Sequence, residues 1–457
     1  MIPSLFAGLK SLAGSLSGDW NRALLGRPLY LIGRHGLKAK RMFLGMPRRQ
    51  AVTIYAGALW TVCLCMAAPY LSLYMVQLGL SETEVGLYQF LMKAVGLVGF
   101  FLGGYFSDVW GRKRALVTFD IFTWCGYCLC LALADSKAWC VAAIFFIATN
   151  ALSLPPYQCL LAENLSAKQR GSVYAVMQLV NLAPFLLFFP LLGGLWVEKA
   201  GLMRACHGMY WLFFFCVSLG IALRWRLLPP SEVYEKPPGD WLRLLQEGLG
   251  QYAQTLRKYL GKPGWVLFLS SRLIDEWFIA TWAIYASLYY ARYLGLRDSY
   301  LSILTQGSAY VAFVILFVLM PNLSERFLVR ILGFDQLFGV AAMALLLWVS
   351  PGEPGLLTLC LLAASLAAVG GSLYASVSTA VWMSIIDEKE RAKVVAASTA
   401  FIYIGVLVAG SLSSFLYGHV SPPALLAVIL GLRLVGFILL RRVSAILAPP
   451  APSAPSR

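Results

Sequence analysis

The sequence predicts an all-α polytopic membrane protein with twelve transmembrane helices, and three observations lead to this fold class. Of the 457 residues, 60% are hydrophobic and only 13% are charged, whereas about 25% of an average soluble chain is charged. Apolar runs of about 20 residues recur along the chain, and each can cross a hydrocarbon core of ~30 Å. The basic residues lie between these runs, mainly on alternate sides, as in loops that face the cytoplasm.

The apolar runs are expected to be helices, because backbone groups in lipid must find their hydrogen bonds within the segment. We place the twelve helices at residues 51–79, 84–107, 115–134, 138–162, 171–196, 206–223, 265–291, 299–321, 331–349, 355–385, 394–418 and 422–440.

The distribution of basic residues predicts the orientation. With the amino terminus inside, 29 of the 37 Lys and Arg residues fall in cytoplasmic segments and five in external loops. The remaining three, Lys93, Arg272 and Arg433, lie within the helices. This asymmetry predicts a multi-pass protein of the cell membrane with both termini in the cytoplasm.

An internal repeat divides the chain into two six-helix halves, residues 51–228 and 264–442. Tyr-Leu-Ser-Leu-Tyr at 70–74 recurs as Tyr-Ala-Ser-Leu-Tyr at 285–289, and further matches follow at a similar offset. Both copies begin on the same side, so we interpret them as parallel pseudo-repeats related by an axis along the membrane normal.

Three other segments complete the predicted domain organisation. Residues 1–50 are basic and amphipathic, and they are expected either to lie on the anionic inner leaflet or to form a poorly ordered tail. Residues 229–263 are predicted to form a cytoplasmic linker with an amphipathic helix. Residues 443–457 are predicted to be a disordered tail, since their end is rich in Pro, Ala and Ser.

The loop after the second predicted helix carries the most specific motif, Gly104-Tyr-Phe-Ser-Asp108-Val-Trp-Gly111-Arg112-Lys113-Arg114. This loop resembles the G-x-x-x-D-x-x-G-R-K-R motif of the major facilitator superfamily. With the twelve helices, the central linker and the repeat, the chain is similar to bacterial-type members of that family, whose substrate subfamily stays unassigned.

The resemblance implies a latch between the two halves on the cytoplasmic side. Gly104 is expected to let a neighbouring helix approach closely, and Gly111 to permit a tight turn. The alternative is that these charges only satisfy the positive-inside rule. Both halves contribute to the predicted gate, which comprises Gly104, Asp108, Gly111, Arg112, Lys113, Arg114, Glu163, Arg170, Glu325, Arg330, Asp387 and Arg391.

Charges inside the membrane are costly and point to function. Arg272, Asp275 and Glu276 have no counterparts in the first half, so the fold itself does not require them. On a helix the two carboxylates flank Arg272, and both are predicted to reach its guanidinium. This arrangement predicts a proton site with Lys93 as a competing cation; the alternative is a static salt bridge.

The other intramembrane charges have structural interpretations. Asp120 and Asp335 are expected to anchor loop arginines, and Arg433 is expected to snorkel towards the cytoplasmic face. Uncharged residues that could complete a substrate cavity are Gln89, Gln306, Asn181, Tyr157 and Trp282. For each of them taken alone, packing or interhelical bonding is the favoured interpretation.

These features predict a monomeric secondary active transporter that moves a small organic solute by alternating access, with proton coupling. The sequence Pro190-Leu-Leu-Gly193-Gly194 partly matches an antiporter motif and favours efflux, although Phe189 replaces its first glycine. The alternatives are a symporter for uptake of a sugar or amino-acid-like metabolite, and a lipid-handling or sensory protein on the same fold.

Other classes of protein are disfavoured. The basic residues that give the net charge of +16 lie mainly in loops between apolar runs. This position indicates a membrane surface, and not nucleic acid, as the partner. No HExxH, GxSxG or nucleotide-binding loop is present, so an enzyme is not expected. The ten cysteines are scattered, and we predict no metal site and no cofactor.

Overall fold

A computed structural model describes residues 46–165, 167–229, 257–262, 264–319, 331–378 and 391–447, with single positions at 246, 250, 254, 381 and 386. These residues form twelve helices, and every predicted helix overlaps one of them. The helices are α1 (Arg48–Gln77), α2 (Glu82–Trp110), α3 (Arg112–Ala132), α4 (Lys137–Ala162), α5 (Ala167–Leu186 and Phe189–Ala200), α6 (Leu202–Leu227), α7 (Trp265–Leu288), α8 (Leu301–Phe313), α9 (Phe334–Trp348), α10 (Leu356–Leu373), α11 (Arg391–Phe415) and α12 (Pro422–Leu447). Within the described ranges there is no strand.

The lengths of these helices fit a membrane. Nine of the helices in the described part of the chain are long and apolar enough to cross a bilayer, and α9 is a shorter apolar helix. Helix α7 carries three charged residues near its middle, which lowers its apolar character. The predicted all-α membrane fold is therefore confirmed.

Several helices change pitch or break along their length. Turns of the wider π type continue α7 at Tyr289–Tyr293 and α10 at Tyr374–Ser378. Helix α5 is interrupted at residues 187 and 188, just before Pro190, because proline has no N–H to donate and its ring disturbs the preceding turn.

The two halves, α1–α6 and α7–α12, meet closely at one end of the molecule, which we call the Ser81 end. Ser81 caps α2 there with a reciprocal hydrogen bond to Glu84. A Cβ added to Gly86 of α2 would clash with the Tyr285 hydroxyl of α7, and one added to Gly194 of α5 would clash with Ser302 of α8. Glycine thus allows direct contact between the halves at this end.

The helix boundaries differ from the predicted domain boundaries at two places. Helix α1 begins at Arg48, and Gln50 is buried and donates to the carbonyls of Leu160 and Glu163. Helix α12 runs to Leu447, so the first residues of the predicted tail are helical. Residues 1–45 lie outside the described residues, and of the predicted amphipathic helix of the linker only the single positions 246, 250 and 254 are described.

Candidate functional site

A group of charged and aromatic side chains, the central cluster, lies where α2 meets the second half. It comprises Lys93, Arg272, Glu276, Tyr374 and Tyr403. Arg272 Nη2 is 3.5 Å from Glu276 Oε1, and the Tyr374 hydroxyl donates to the same oxygen at 2.9 Å. Lys93 Nζ lies 5.6 Å from the ring centroid of Tyr403, and Tyr403 lies on α11, which packs against α7. The cluster therefore joins both halves.

Asp275 does not share Arg272 with Glu276, contrary to the prediction. Gln336 Nε2 donates to both Asp275 carboxylate oxygens at 2.7 Å, and Arg433 Nη1 lies 3.6 Å from Asp275 Oδ1. The same Gln336 nitrogen also contacts Asp335 Oδ2 at 2.9 Å. We call Asp275, Asp335, Gln336 and Arg433 the buried cluster.

The buried cluster corrects two further predictions. Arg433 is only 2% exposed and does not snorkel, because Gly339 leaves room for it: a Cβ there would lie 2.5 Å from Arg433 Cδ. The guanidinium stacks 3.8 Å from the centroid of Phe278. Asp335 anchors no loop arginine among the described residues; it belongs to this cluster.

The first half contains a simpler counterpart. Arg224 of α6 and Asp120 of α3 form an ion pair at 2.5 Å, with the two residues 1% and 2% exposed. Arg224 also donates to the Thr53 carbonyl at 2.8 Å and lies 4.3 Å from the Trp60 ring. The predicted sixth helix ends at residue 223, which leaves Arg224 in a cytoplasmic segment. The structure corrects this boundary, because α6 runs to Leu227 and Arg224 is buried within it.

A cavity of about 410 Å³ lies next to the central cluster. Its walls come from α1, α7, α8 and α10, and they are mainly apolar with a few hydroxyl groups. Arg272 and Glu276 occupy the same face of α7 as the cavity residues Ile279 and Ala283, because all four follow a spacing of three or four residues. The charged groups therefore continue one wall of the cavity.

The remaining predicted cavity residues are scattered. Trp282 lines the cavity, whereas Tyr157 lies beside Arg224, 5.5 Å from its guanidinium. Gln306 is buried and donates to the Leu187 carbonyl of α5 at 2.9 Å, next to the break before Pro190. Asn181 is exposed on α5, and for Gln89 the structure describes only the backbone within α2.

The loop between α2 and α3 forms several of the predicted contacts. Gly111 has φ 81°, which fits the predicted tight turn. Glu163 lies 3.0 Å from Arg112 Nη1 and 2.7 Å from Arg49 Nη1, while Lys113 donates to the Leu228 carbonyl at 2.6 Å. Arg114 is exposed. All these contacts lie within the first half.

Gly104 does not play its predicted part. A Cβ at Gly104 would meet open space, whereas one at Gly103 would clash with the Leu152 carbonyl of α4. The close approach of α2 and α4 therefore depends on Gly103.

The structure does not test part of the predicted gate. Asp108, Arg170 and Arg391 lie in helices α2, α5 and α11, and only their backbone is described. Glu325, Arg330 and Asp387 lie outside the described residues. Whether the two halves are latched here stays a prediction.

The two clusters include residues that were not among the predicted site residues, namely Asp335, Gln336, Tyr403 and Arg433. Their signal is weak in the sequence, because each belongs to a helix distant along the chain from Asp275 and Glu276. The repeat offers one signal, since Asp120 and Asp335 occupy corresponding positions at an offset of 215. Among the described residues, no group of three or more His, Cys, Asp or Glu could hold a metal ion.

Comparison with known proteins identifies relatives of this architecture. The family model of the Major Facilitator Superfamily matches residues 51–334. The sugar transporter ERD6 of Arabidopsis thaliana is 30% identical over 145 residues, which cover 30% of this chain and only 28% of that protein.

Solved structures of transporters share the fold. A mutant of the nucleoside transporter NupG superposes with a TM-score of 0.66 at 14% identity, covering 87% of this chain and all of that one. A mutant of the peptide transporter POT gives 0.66 at 14% identity, covering 88% and 96% of the two chains. The human organic anion transporter MFSD10 gives 0.55 at 16% identity, covering 86% and 99%. At these identities the similarity shows the fold alone.

Proposed function

Because the chain belongs to the Major Facilitator Superfamily, we propose that it is a secondary active transporter that moves a small organic solute by alternating access. The observation that carries this proposal is the position of the central cluster and its cavity. Lys93 of the first half faces Tyr403 of the second, so a solute bound there would contact both halves. Rocking of the halves would then expose the solute to each side in turn.

The close contacts at the Ser81 end support the same cycle. Gly86 and Gly194 bring the halves together there, and these contacts must separate before a solute can pass that end. In the proposed orientation the Ser81 end is external and both termini are cytoplasmic. Ser136→Cys and Ser421→Cys, on a cysteine-free background, should then react with an impermeant maleimide in intact cells. External labelling of Lys236→Cys would contradict the orientation.

We propose further that transport is coupled to protons at the buried cluster. Asp275 is 1% and Asp335 3% exposed. Arg433 is the cation of the cluster: its Nη1 lies 3.6 Å from Asp275 Oδ1, and Asp335 is joined to Asp275 through the Gln336 amide. Two buried carboxylates and one guanidinium carry one excess negative charge, which is unfavourable away from water. A proton bound to the carboxylate pair balances this charge. Around Asp275 the charged and titratable groups are Arg433, Asp335, Glu276 and Tyr374.

The experiment is solute-driven proton flux in proteoliposomes that enclose a pH-sensitive dye. A panel of organic acids, amino acids, sugars and cationic drugs supplies the solutes. Asp275→Asn or Asp335→Asn should abolish proton flux and leave solute counterflow measurable, because counterflow needs no net proton movement. Glu276→Gln, in the proposed solute site, tests the alternative that coupling runs through the central cluster.

The outcomes separate the two parts of the proposal. Full proton flux in both aspartate variants would remove the buried cluster from coupling. Proton flux lost only in Glu276→Gln would assign coupling to the central cluster. If no solute of the panel drives flux or counterflow in the wild-type protein, transport itself is contradicted.

The proposed direction is efflux. It is supported by Pro190, Gly193 and Gly194, which resemble part of an antiporter motif. In the structure Gly193 packs against the Met66 backbone and Gly194 against Ser302. Close packing alone would also explain these glycines, and it implies no direction of transport. The direction is tested in oriented vesicles with an imposed outward proton gradient. Solute movement opposite to the protons would support efflux by exchange, and solute movement with the protons would show uptake instead.

A further inference from the structure

Lys93 carries a positive charge that no carboxylate of the described residues neutralises. It lies near the middle of α2 and is half-buried, and its contact is with the ring of Tyr403. An aromatic face contributes roughly 0.5–2 kcal/mol to holding a cation, whereas a charge at the bilayer centre costs at least about 2.5–3.5 kcal/mol. The ring alone therefore does not offset the cost of this ammonium group.

The other acidic residues within the described helix interiors already have partners. Asp275 and Asp335 belong to the buried cluster with Arg433, and Asp120 pairs with Arg224. Glu276 accepts from Tyr374 and faces Arg272. Lys93 is thus available to an anion that enters from outside the protein.

The space beside this cation is suited to the apolar part of a ligand. The cavity is walled by aromatic rings and by small residues, and four of its side chains carry hydroxyl groups. These residues include Phe278, Trp282, Tyr290, Ala364, Ala367, Ser287, Thr305 and Ser308. A volume of about 410 Å³ falls within the range of small-molecule sites, roughly 300–1,000 Å³.

Two helices show on which side of the cavity the charged residues of the central cluster lie. On α7, Glu276 lies one turn from the cavity residue Ile279, towards the start of the helix. On α10 the cavity residue Gly371 is followed by Tyr374, whose hydroxyl contacts Glu276. A ligand in the cavity would therefore have its end nearest Glu276 and Tyr374 beside the central cluster.

We propose that the transported solute is an amphipathic organic anion, whose carboxylate binds Lys93 while its apolar body occupies the cavity. This inference rests on the proposed transport function and adds the chemical class of the solute.

Matched pairs of acids and amides test the proposal on the purified full-length protein. Phenylacetate and octanoate are each compared with phenylacetamide and octanamide, which keep the shape and lose the charge; phenethylamine represents cations. The readout is binding measured by ligand-dependent thermal stabilisation. A charge-assisted hydrogen bond contributes about 1.5–3 kcal/mol, so each acid should bind roughly 10- to 150-fold more tightly than its amide.

Substitutions assign the preference to Lys93. Lys93→Gln should bind acid and amide equally, and Lys93→Arg should keep the preference for the acid. Lys137→Gln, a loss of a lysine at the Ser81 end, is the matched control and should behave as wild type. The wild-type comparison needs no variant, so the test holds even where Lys93→Gln does not fold.

Three results would overturn the proposal: amides that bind as tightly as acids, a preference for phenethylamine, or no binding of either acid at millimolar concentration. The proposed transport function is judged separately by the broad panel in proteoliposomes. If sugars or cationic drugs drive flux there while the acids do not, transport stands and the anion assignment fails.

Discussion

Removal of Asp120 should destabilise the protein far more than removal of either acid of the buried cluster. Arg224 is 1% exposed and Asp120 is its carboxylate partner at 2.5 Å. After Asp120→Asn the guanidinium keeps the Thr53 carbonyl and the Trp60 ring but has no counter-charge. Loss of one partner of a buried ion pair costs about 3–5 kcal/mol, and we expect a loss of this size in the free energy of unfolding.

The buried cluster should respond differently because it contains two carboxylates for one guanidinium. Either Asp275→Asn or Asp335→Asn leaves one carboxylate in the cluster to balance the charge of Arg433 and removes the excess negative charge. The expected loss is no more than about 1.5 kcal/mol, the net contribution of one hydrogen bond. The double variant leaves Arg433 without a carboxylate, and its loss should approach that of Asp120→Asn, far above the sum of the two single losses.

Equilibrium unfolding of the purified protein in one detergent, at one neutral pH, measures these four variants. Lys137→Gln breaks the exposed pair with Glu84 and should have little effect, because exposed ion pairs contribute little. Two results would refute the reasoning: a single loss at Asp275 as large as that at Asp120, or additive losses in the double variant. Either result would show that the two carboxylates do not share the charge of Arg433.

Three further predictions concern the contacts between and within the halves. Asp108→Asn should impair transport and leave membrane insertion intact, because an amide accepts weaker hydrogen bonds than a carboxylate; unchanged transport rates would reduce the loop to a topology signal. Gln306→Leu should destabilise the protein by about 0.6 kcal/mol, and at most about 1.7, since the Leu187 carbonyl loses a donor beside the break in α5; an unchanged unfolding free energy would mean that water replaces the amide. Gly194→Leu should separate α5 from Ser302 and increase maleimide labelling of Ser302→Cys several-fold, with Gly104→Leu as the control at an open position; equal labelling would show that the Ser81 end closes without this contact.

The helices and the family were accessible from the sequence because long apolar runs admit few alternatives in a membrane. The sequence also allowed four charged site residues to be predicted, because a charge inside a bilayer requires a partner or a role. These residues are Lys93, Arg272, Asp275 and Glu276. What the sequence did not show was which charge meets which partner. The angular position of Asp275 on α7 allows contact with Arg272, but Gln336 and Arg433 come from helices far along the chain.

Residues that determine these contacts are often the small ones. Gly339 has no functional group, yet its missing side chain admits Arg433 to the buried cluster. Gly103, and not Gly104, allows α2 to approach α4 for the same reason. Helical periodicity predicts which face of a helix carries a residue, but the depth to which a neighbouring helix approaches depends on packing that only the three-dimensional structure shows.

The repeat explains why coupling is proposed for the second half and not for the first. In both halves an arginine of the last helix stacks on a ring of the first, Arg224 on Trp60 and Arg433 on Phe278. Arg224 pairs directly with the acid of the third helix, whereas Arg433 pairs with Asp275, and Asp335 of the third helix contacts Gln336. At the offset of 215, however, Asp275 occupies the position that corresponds to Trp60. The second half thus has a carboxylate where the first has the aromatic ring, and its own ring lies one turn further along α7. The first-half pair is neutral and complete, whereas the second-half cluster holds one negative charge too many. A reversible ligand such as a proton is needed to balance that charge, so the departure from symmetry is where an energy-coupling site is expected.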